Sequence, residues 1–432
     1  MESTWIKLGK KLKRLAKNTL FPTPKPLISY VRHIERVKTS EKVCAMTFDD
    51  GPMDLPCAPP DQFGGEALTD VLLDTLQEFG AKGVFDVVGD TSENYPDVCG
   101  GPGTPTWGGT AFDHYPEFGQ DKKGGAANCP RLIDRILNEG HQITNHGYRH
   151  IIFGKKPYVY GKRQFQGDLD AVVADMDRLH SLLRDQHGYT MTMTRPPHYV
   201  DNIDGTFTAY DACAMMDYQY LAASFDGQGW LPAKTGDVQQ AEVREMVDPL
   251  RKALEQDEGF FCGQIIFQKD GYNMALRTPV AFGLRQHLEL LEKAGYRVIT
   301  VAELLERSPF ADVGAEDKDF EHLRELQKSR AIAYSDNTLR LDAPMTRGEL
   351  AMLLAPREAA VDLRIRKLKE GDKSFAHRYA GALHWCAEQH LLPAGAAPDS
   401  PLEPGDLRKA SDFFNGTVTG TTRREVLGKA KL

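Results

Sequence analysis

The sequence predicts an α/β fold on a parallel sheet, open or closed into a barrel, followed by a smaller, mainly helical region. Three observations carry this prediction. Between about residues 42 and 307, short apolar runs alternate with amphipathic stretches of helical period, the order expected when helices cover parallel strands. The residues suited to chemistry fall directly after those runs, where parallel α/β folds place their sites. After residue 305 the texture changes to helical segments with a recurring short motif.

A chain of 432 residues suggests two or three domains. Its 41% hydrophobic and 26% charged content is that of a soluble globular protein. No apolar run approaches the roughly 18 residues of a membrane span. The net charge of −8 hides an asymmetry, because residues 1–42 carry eleven Lys and Arg against three Glu, leaving −16 for the rest. An acidic body argues against nucleic acid as the main partner. Seven cysteines are too few for a disulfide scaffold, and no CxxC pair marks a zinc knuckle. Cys99 and Cys129 bracket a Gly-rich segment; a pair in an exported protein and free thiols in a reducing compartment both fit.

Taken in order, residues 1–41 form a basic extension. Apolar positions Trp5, Leu8, Leu12 and Leu15 among lysines predict an amphipathic helix, without the apolar core or small-residue cleavage site of a signal peptide. Pro22, Pro24 and Pro26 separate that helix from the rest of the chain. Residues 42–308 form the α/β domain, with strands expected over 43–48, 83–88, 141–144, 191–194, 220–224, 264–267 and 297–300. Helical periods run through Leu68–Leu76, Leu132 and Ile136, Leu169–Leu183, Val243–Leu250 and Leu284–Leu291. Residues 90–129 interrupt the pattern with a long Gly- and Pro-rich insertion bearing Trp107, Phe112, Tyr115 and Phe118, readable as a lid over sugar rings or as a surface insertion. Residues 309–432 hold two copies of one order: Phe310-Ala311-Asp312-Val313, a helix, then Thr346-Arg347-Gly348-Glu349; and, more weakly, Phe375, a helix, then Thr422-Arg423-Arg424-Glu425. Each Thr-Arg-x-Glu also reads as a helix-capping box.

The chemistry centres on Thr47-Phe48-Asp49-Asp50-Gly51-Pro52, two carboxylates at a strand end before a turn. Neighbouring side chains of an extended segment diverge, so one Asp can bind a metal while the other takes a proton; an Asp-rich turn capping the next helix fits the same residues. His146 and His150, four positions apart after the third strand, would share one face of a helix and converge on a divalent ion, with a carboxylate completing a facial set. Arg195-Pro196-Pro197 follows a later strand.

In this order, and with Ile265-Ile266-Phe267-Gln268-Lys269-Asp270-Gly271, these motifs resemble those of the NodB-type polysaccharide deacetylases over roughly residues 42–307. The resemblance implies a distorted (β/α) barrel and metal-dependent removal of acetyl groups from a glycan. It implies Asp50, His146 and His150 as metal ligands, Asp49 as general base and Arg195 as the cation that orients Asp49 and keeps it ionised. The oxyanion donor would be a backbone N–H at His198 or Tyr199, with Trp230 on the substrate side. Zinc is favoured, with cobalt, nickel and manganese admitted by the same ligands.

Three positions depart from the family. Lys269 stands where a histidine acts as general acid, and a lysine, ordinarily with a pKa of about 10.4, must be tuned downward to serve. Gly229, in Asp226-Gly227-Gln228-Gly229-Trp230, replaces the carboxylate that tethers the arginine, and His198-Tyr199 replaces Tyr-Gly. The C-terminal repeats resemble S-layer homology modules, which implies docking on a cell-wall polymer with Arg347 and Arg423 as contacts to anionic saccharide. Peptidoglycan or chitin-like amino sugars are the favoured substrate. A catalytically impaired carbohydrate-binding protein is the alternative, and an allantoinase-like amide hydrolase is a third reading that the repeats disfavour. The repeats imply a wall-associated or extracellular location, whereas the N-terminus shows no recognisable signal.

Overall fold

A computed structural model describes residues 26–58, 60–90, 123–154, 166–230, 233, 238–273 and 277–432. The basic helix expected near the N-terminus, and residues 91–122 of the insertion with Cys99 and the four aromatics, lie outside the described residues.

Among the described residues nine strands form one parallel sheet: β1 His33–Ile34, β2 Val43–Asp49, β3 Val84–Val87, β4 Gln142–Asn145, β5 Met193–Thr194, β6 Gln219–Leu221, β7 Phe225–Asp226, β8 Ile265–Lys269 and β9 Arg297–Ile299. Their order is β1-β6-β5-β4-β3-β2-β8-β7, with β9 also pairing β2. Among the described residues no pairing joins β1 to β7, so the sheet curls into an incomplete barrel. Every expected strand is present. β1 and β7, at two residues each, are too short to leave a periodic signal. β1 also shows that the sheet reaches back into the segment expected to be an extension.

The alternation of side chains organises the interior. Cys44, Met46, Phe48, Phe85, Val87, Ile143 and Ile266 pack outward into the main core with the covering helices. Their alternates Val43, Ala45, Val84, Met193, Leu221, Ile265 and Ile299 face inward and fill the bottom of the curl, where Val301 and Leu304 of the following helix plug it. Continuing the inward parity toward the strand ends gives Thr47, Asp49, Asp86, Thr144, Arg195 and Lys269. The apolar set thus becomes polar at one level, and parallel strands bring that level to one place.

The helices that position the loops are α1 Leu68–Glu78, α2 Pro130–Asn138, α3 Leu169–His187, α4 Ala209–Met216, α5 Val238–Gln256, α6 Pro279–Lys293 and α7 Val301–Arg307. Asp168 caps α3 by accepting from Ala171 N–H at 2.9 Å, and Gly188 ends it in the left-handed conformation.

The C-terminal region has a separate core around Phe310, Leu323, Leu326, Leu350, Leu353, Tyr379, Leu407 and Val426. Its helices are α8 Phe320–Ser329, α9 Arg347–Leu354, α10 Leu363–Lys369, α11 Ala380–Glu388, α12 Pro404–Lys409 and α13 Arg423–Leu427. Thr346 and Thr422 each close a capping box with the Glu three residues on. Among the described residues no helix is long and apolar enough to cross a membrane.

Candidate active site

Strand register assembles the site. β2 pairs Asp49 with Asp86 of β3 and with Lys269 of β8. In-register residues of parallel strands point to the same face, so Asp86, Asp49 and Lys269 form a row across three strands. Two adjacent carboxylates on one buried face repel each other unless a cation joins them. Arg195 supplies it, wholly buried, with its Nη1 donating to Asp49 Oδ1 and, at 2.9 Å, to Thr47 Oγ1.

Asp50 leaves the strand with a φ of 80°, a left-handed turn that is rare outside glycine and that swings its carboxylate away from Asp49. The residue after it must be small, since a Cβ on Gly51 would lie 1.9 Å from Asp270 Oδ2. Asp50 Oδ1 meets His146 Nε2 at 3.3 Å and His150 Nε2 at 3.0 Å, while its Oδ2 accepts from the Lys269 ammonium. Asp50, His146 and His150 are all buried, with ligand atoms within 4.8 Å of one another. One carboxylate oxygen and two imidazole nitrogens converging from three directions suit a divalent transition ion.

The helix expected to bring the two histidines together is absent. Residues 146–150 form a loop in which Gly147 (φ 81°) and His150 (φ 54°) reverse the backbone. Asp175 of α3 pins that loop, accepting from Tyr148 N–H at 2.8 Å and from Arg149 Nε at 2.7 Å. The four-residue spacing is met by turn geometry rather than by one helical turn.

Burial pushes the Asp49 carboxyl up to about 7, Arg195 pulling it down and Asp86 pushing it further up. Arg195 favours the charged carboxylate, while burial and Asp86 oppose it. Burial lowers the proton affinity of His146, but Asp86 and Asp50 outweigh it and raise the pKa well above the ordinary range. Asp270, whose two oxygens share the Thr69 hydroxyl proton at 2.9 and 2.8 Å, is pushed by burial up to about 7.

A cleft of roughly 360 Å³ opens over this group, with Tyr199, Phe225, Trp230 and Phe267 among its walls. Trp230 is 38% and Tyr199 41% exposed, and Trp230 Nε1 donates to Asp226 Oδ2 at 3.2 Å. His198 and Tyr199 both have left-handed backbone, φ 57° and 56°. Tyr199 N–H donates to Pro196 O at 2.9 Å, which removes it as an oxyanion donor. Gly229 has φ 87°, and a Cβ there would lie 3.3 Å from Met246 Sδ.

Asp86 escaped the sequence reading because it sits inside an apolar run. A single carboxylate in a strand covered on both faces is the signal that could have found it.

In the C-terminal region the structure corrects one residue outright. Arg423, expected as a wall-polymer contact, is wholly buried, donating from Nε to Leu339 O at 2.6 Å and from Nη2 to Ile332 O, with Glu349 3.3 Å away. Arg347 donates to Asp406 at 2.8 Å and lies 3.1 Å from Glu403. Both guanidiniums are held by the fold.

Residues 36–206 match the profile of a family described as polysaccharide deacetylase. A peptidoglycan-N-acetylglucosamine deacetylase of Bacillus cereus is 25% identical over 272 residues, 62% of this chain and 91% of that protein. Among solved structures, the peptidoglycan deacetylase PdaC from Bacillus subtilis is 18% identical, with a TM-score of 0.39 over 62% of this chain and 93% of that one. The chitin deacetylase of the fungal pathogen Colletotrichum lindemuthianum is 15% identical, with a TM-score of 0.42 over 67% and 96%. The matched segment includes Asp49, Asp50, His146, His150 and Arg195.

Proposed function

We propose that this protein is a metal-dependent hydrolase that removes acetyl groups from an acetylated glycan, with N-acetylated amino sugars of peptidoglycan or chitin-like chains as favoured substrates. One observation carries the reading: a buried Asp49 gripped by Arg195 stands beside the convergent Asp50, His146 and His150 at the base of an aromatic cleft. Asp50, His146 and His150 would hold a divalent ion, zinc favoured, which supplies Lewis acidity toward water and the amide carbonyl.

The chain's own groups do the rest. Asp49 takes a proton from the attacking water, with Arg195 fixing its orientation. His198 N–H donates to the carbonyl oxygen as it gains charge. The C–N bond breaks, the acetyl group leaves as acetate, and Lys269 protonates the departing amine. Trp230 and Tyr199 lay exposed ring faces against the sugar.

The test is acetate release from N-acetylated peptidoglycan fragments and chitin oligomers, with and without chelator. Asp49→Asn is expected to retain metal and lose about 10²–10⁴-fold in kcat, the range of a general base. Asp50→Ala is expected to lose the metal itself, read by metal analysis of the purified protein. Absence of chelator-sensitive release on every glycan tried would refute the proposal.

A second reading is favoured by one contact. Lys269 occupies the acid position with its ammonium on Asp50, a proposed metal ligand, so the cleft could bind glycan and turn it over poorly. Glycan binding without acetate release would mark that outcome. Docking of the C-terminal region on a wall polymer, and with it a wall-associated location, is a separate proposal that Arg347 and Arg423 do not support. Pull-down of the full chain by purified cell walls, compared with chain lacking residues 309–432, tests it.

A further inference from the structure

We propose that Asp86 is a positioning residue for the reaction, its carboxylate on β3 setting the orientation of both Arg195 and His146. The inference rests on the deacetylase reading for its kinetic arm and on geometry for the rest.

Asp86 has no exposed surface. Thr144 Oγ1, on the neighbouring strand β4, donates to its Oδ1 at 2.7 Å and fixes the carboxylate plane. Its Oδ2 lies 3.2 Å from His146 Nδ1 and 3.9 Å from Arg195 Nε. Among the described residues neither Asp86 Oδ2 nor Arg195 Nε has a hydrogen-bond partner, so two orphaned atoms of opposite charge face each other. His146 Nδ1 makes its hydrogen bond to Arg195 O at 2.7 Å, which binds the ring, the arginine and the carboxylate into one cluster.

A buried carboxylate costs several kcal/mol unless a cation faces it. The inward positions below this level carry Val84, Ala45 and Ile265, and a valine at 86 would serve packing alone. The charge therefore has a use beyond filling space. On one side it holds the guanidinium that grips Asp49. On the other its charge lies 3.2 Å from His146 Nδ1, favouring the proton there that Arg195 O accepts and leaving Nε2 to face Asp50, and outer contacts of this kind fix ring orientation in metal sites. Other carboxylates are spoken for. Asp226 is exposed and occupied by Trp230 Nε1 and Gln228 N–H, and Asp270 is held by Thr69. Position 229, where the family motif would carry a tether, is glycine, and a Cβ there would meet Met246 Sδ at 3.3 Å. β3 supplies a carboxylate beside Arg195, where position 229 carries glycine.

The experiment compares wild type, Asp86→Asn, Asp86→Glu and Thr144→Val in the full chain. Binding of Co²⁺ to metal-stripped protein is followed by calorimetry and by its visible spectrum, alongside acetate release kinetics and thermal melts. The outer partner of a metal-bound histidine is typically worth 10–100-fold in metal affinity or activity. Asp86→Asn is expected to weaken Co²⁺ binding by about that factor, alter the spectrum, and lower kcat with KM changed less than about threefold. Asp86→Glu should recover part of both. Folded Asp86→Asn with wild-type Co²⁺ affinity and kcat overturns the proposal. Should Asp86→Asn not fold, Thr144→Val decides: it leaves the charge but frees the carboxylate, and unchanged kcat and Co²⁺ affinity would overturn the role. Wild type that binds Co²⁺ but releases no acetate refutes the deacetylase reading, and the affinity arm still tests Asp86.

Discussion

His141 shows how single residues here are tuned by what surrounds them. It lies at the foot of β4, its side chain 1% exposed, with Nδ1 accepting from Gly83 N–H at 2.9 Å. Burial pushes its pKa down to about 4, with Lys82 and Arg135 acting in the same direction and Glu139 against. The unfolded chain, with an ordinary histidine near 6.5, takes up this proton before the folded one does. Stability is therefore complete above about 6.5 and drains as pH falls toward 4, by up to about 3 kcal/mol from this residue. Urea unfolding at pH 7 and pH 4.5 should show a pH dependence about 2–3 kcal/mol smaller in His141→Gln, whose amide oxygen can accept the same N–H. Equal pH dependence would show that His141 does not carry the effect. At the active site the same burial acts on Asp49, where Arg195 opposes it, and on Asp270, where Thr69 and Lys269 oppose it.

At the scale of elements, the ends of helices decide what the C-terminal motifs do. The two Thr-Arg-x-Glu segments start α9 and α13, and their Thr and Glu side chains satisfy the first N–H groups of each helix. The arginine after the second threonine turns inward. Arg423 lies over the Tyr334 ring at 4.7 Å, bonds two carbonyls and faces Glu349, joining α13 to α9 and to the loop before it. Removing one side of a buried pair leaves an uncompensated charge, so Arg423→Ala is expected to destabilise by about 3–5 kcal/mol. Arg347→Ala, at a partly exposed site, should cost about 1 kcal/mol or less. Thermal or urea melts of the two variants check the contrast, and similar losses would contradict the inward assignment of Arg423.

For the whole molecule, the segment from residue 27 to 34 joins the two cores. Ile28 N–H donates to Tyr379 Oη at 2.7 Å and Ile28 bridges to Tyr334, while His33 and Ile34, five residues on, pair with β6 of the sheet. Arg32 donates to Pro309 O at 2.8 Å and to Asn337 Oδ1 at 3.0 Å. A buried Arg364–Asp211 pair at 2.8 Å adds a second tie between α10 and α4. Links of this kind couple the stabilities of the units they join. Calorimetry of the full chain is expected to give one cooperative transition, and Tyr379→Phe, which strands the Ile28 N–H, should lower its midpoint. Two well-separated transitions would refute the coupling.

By itself, the sequence determined the strand–helix alternation, the strand ends where chemistry would gather, and the residues of the motifs. Periodicity and residue type are local properties, and Asp49, Asp50, His146, His150, Arg195 and Lys269 all stand next to a turn or at a strand end. The tertiary structure alone decided which of them meet and in what direction. The two histidines converge through a loop held by Asp175, not through a helix, because Gly147 and His150 turn the backbone there. Tyr199 spends its N–H on Pro196, and Arg423 is a core cation, facts that depend on partners distant in the chain or on turn dihedrals. Asp86 is the sharpest case. In the sequence it is one acid in an apolar run; only parallel register, which sets it beside Asp49 and under Arg195 and His146, shows why a charge sits there.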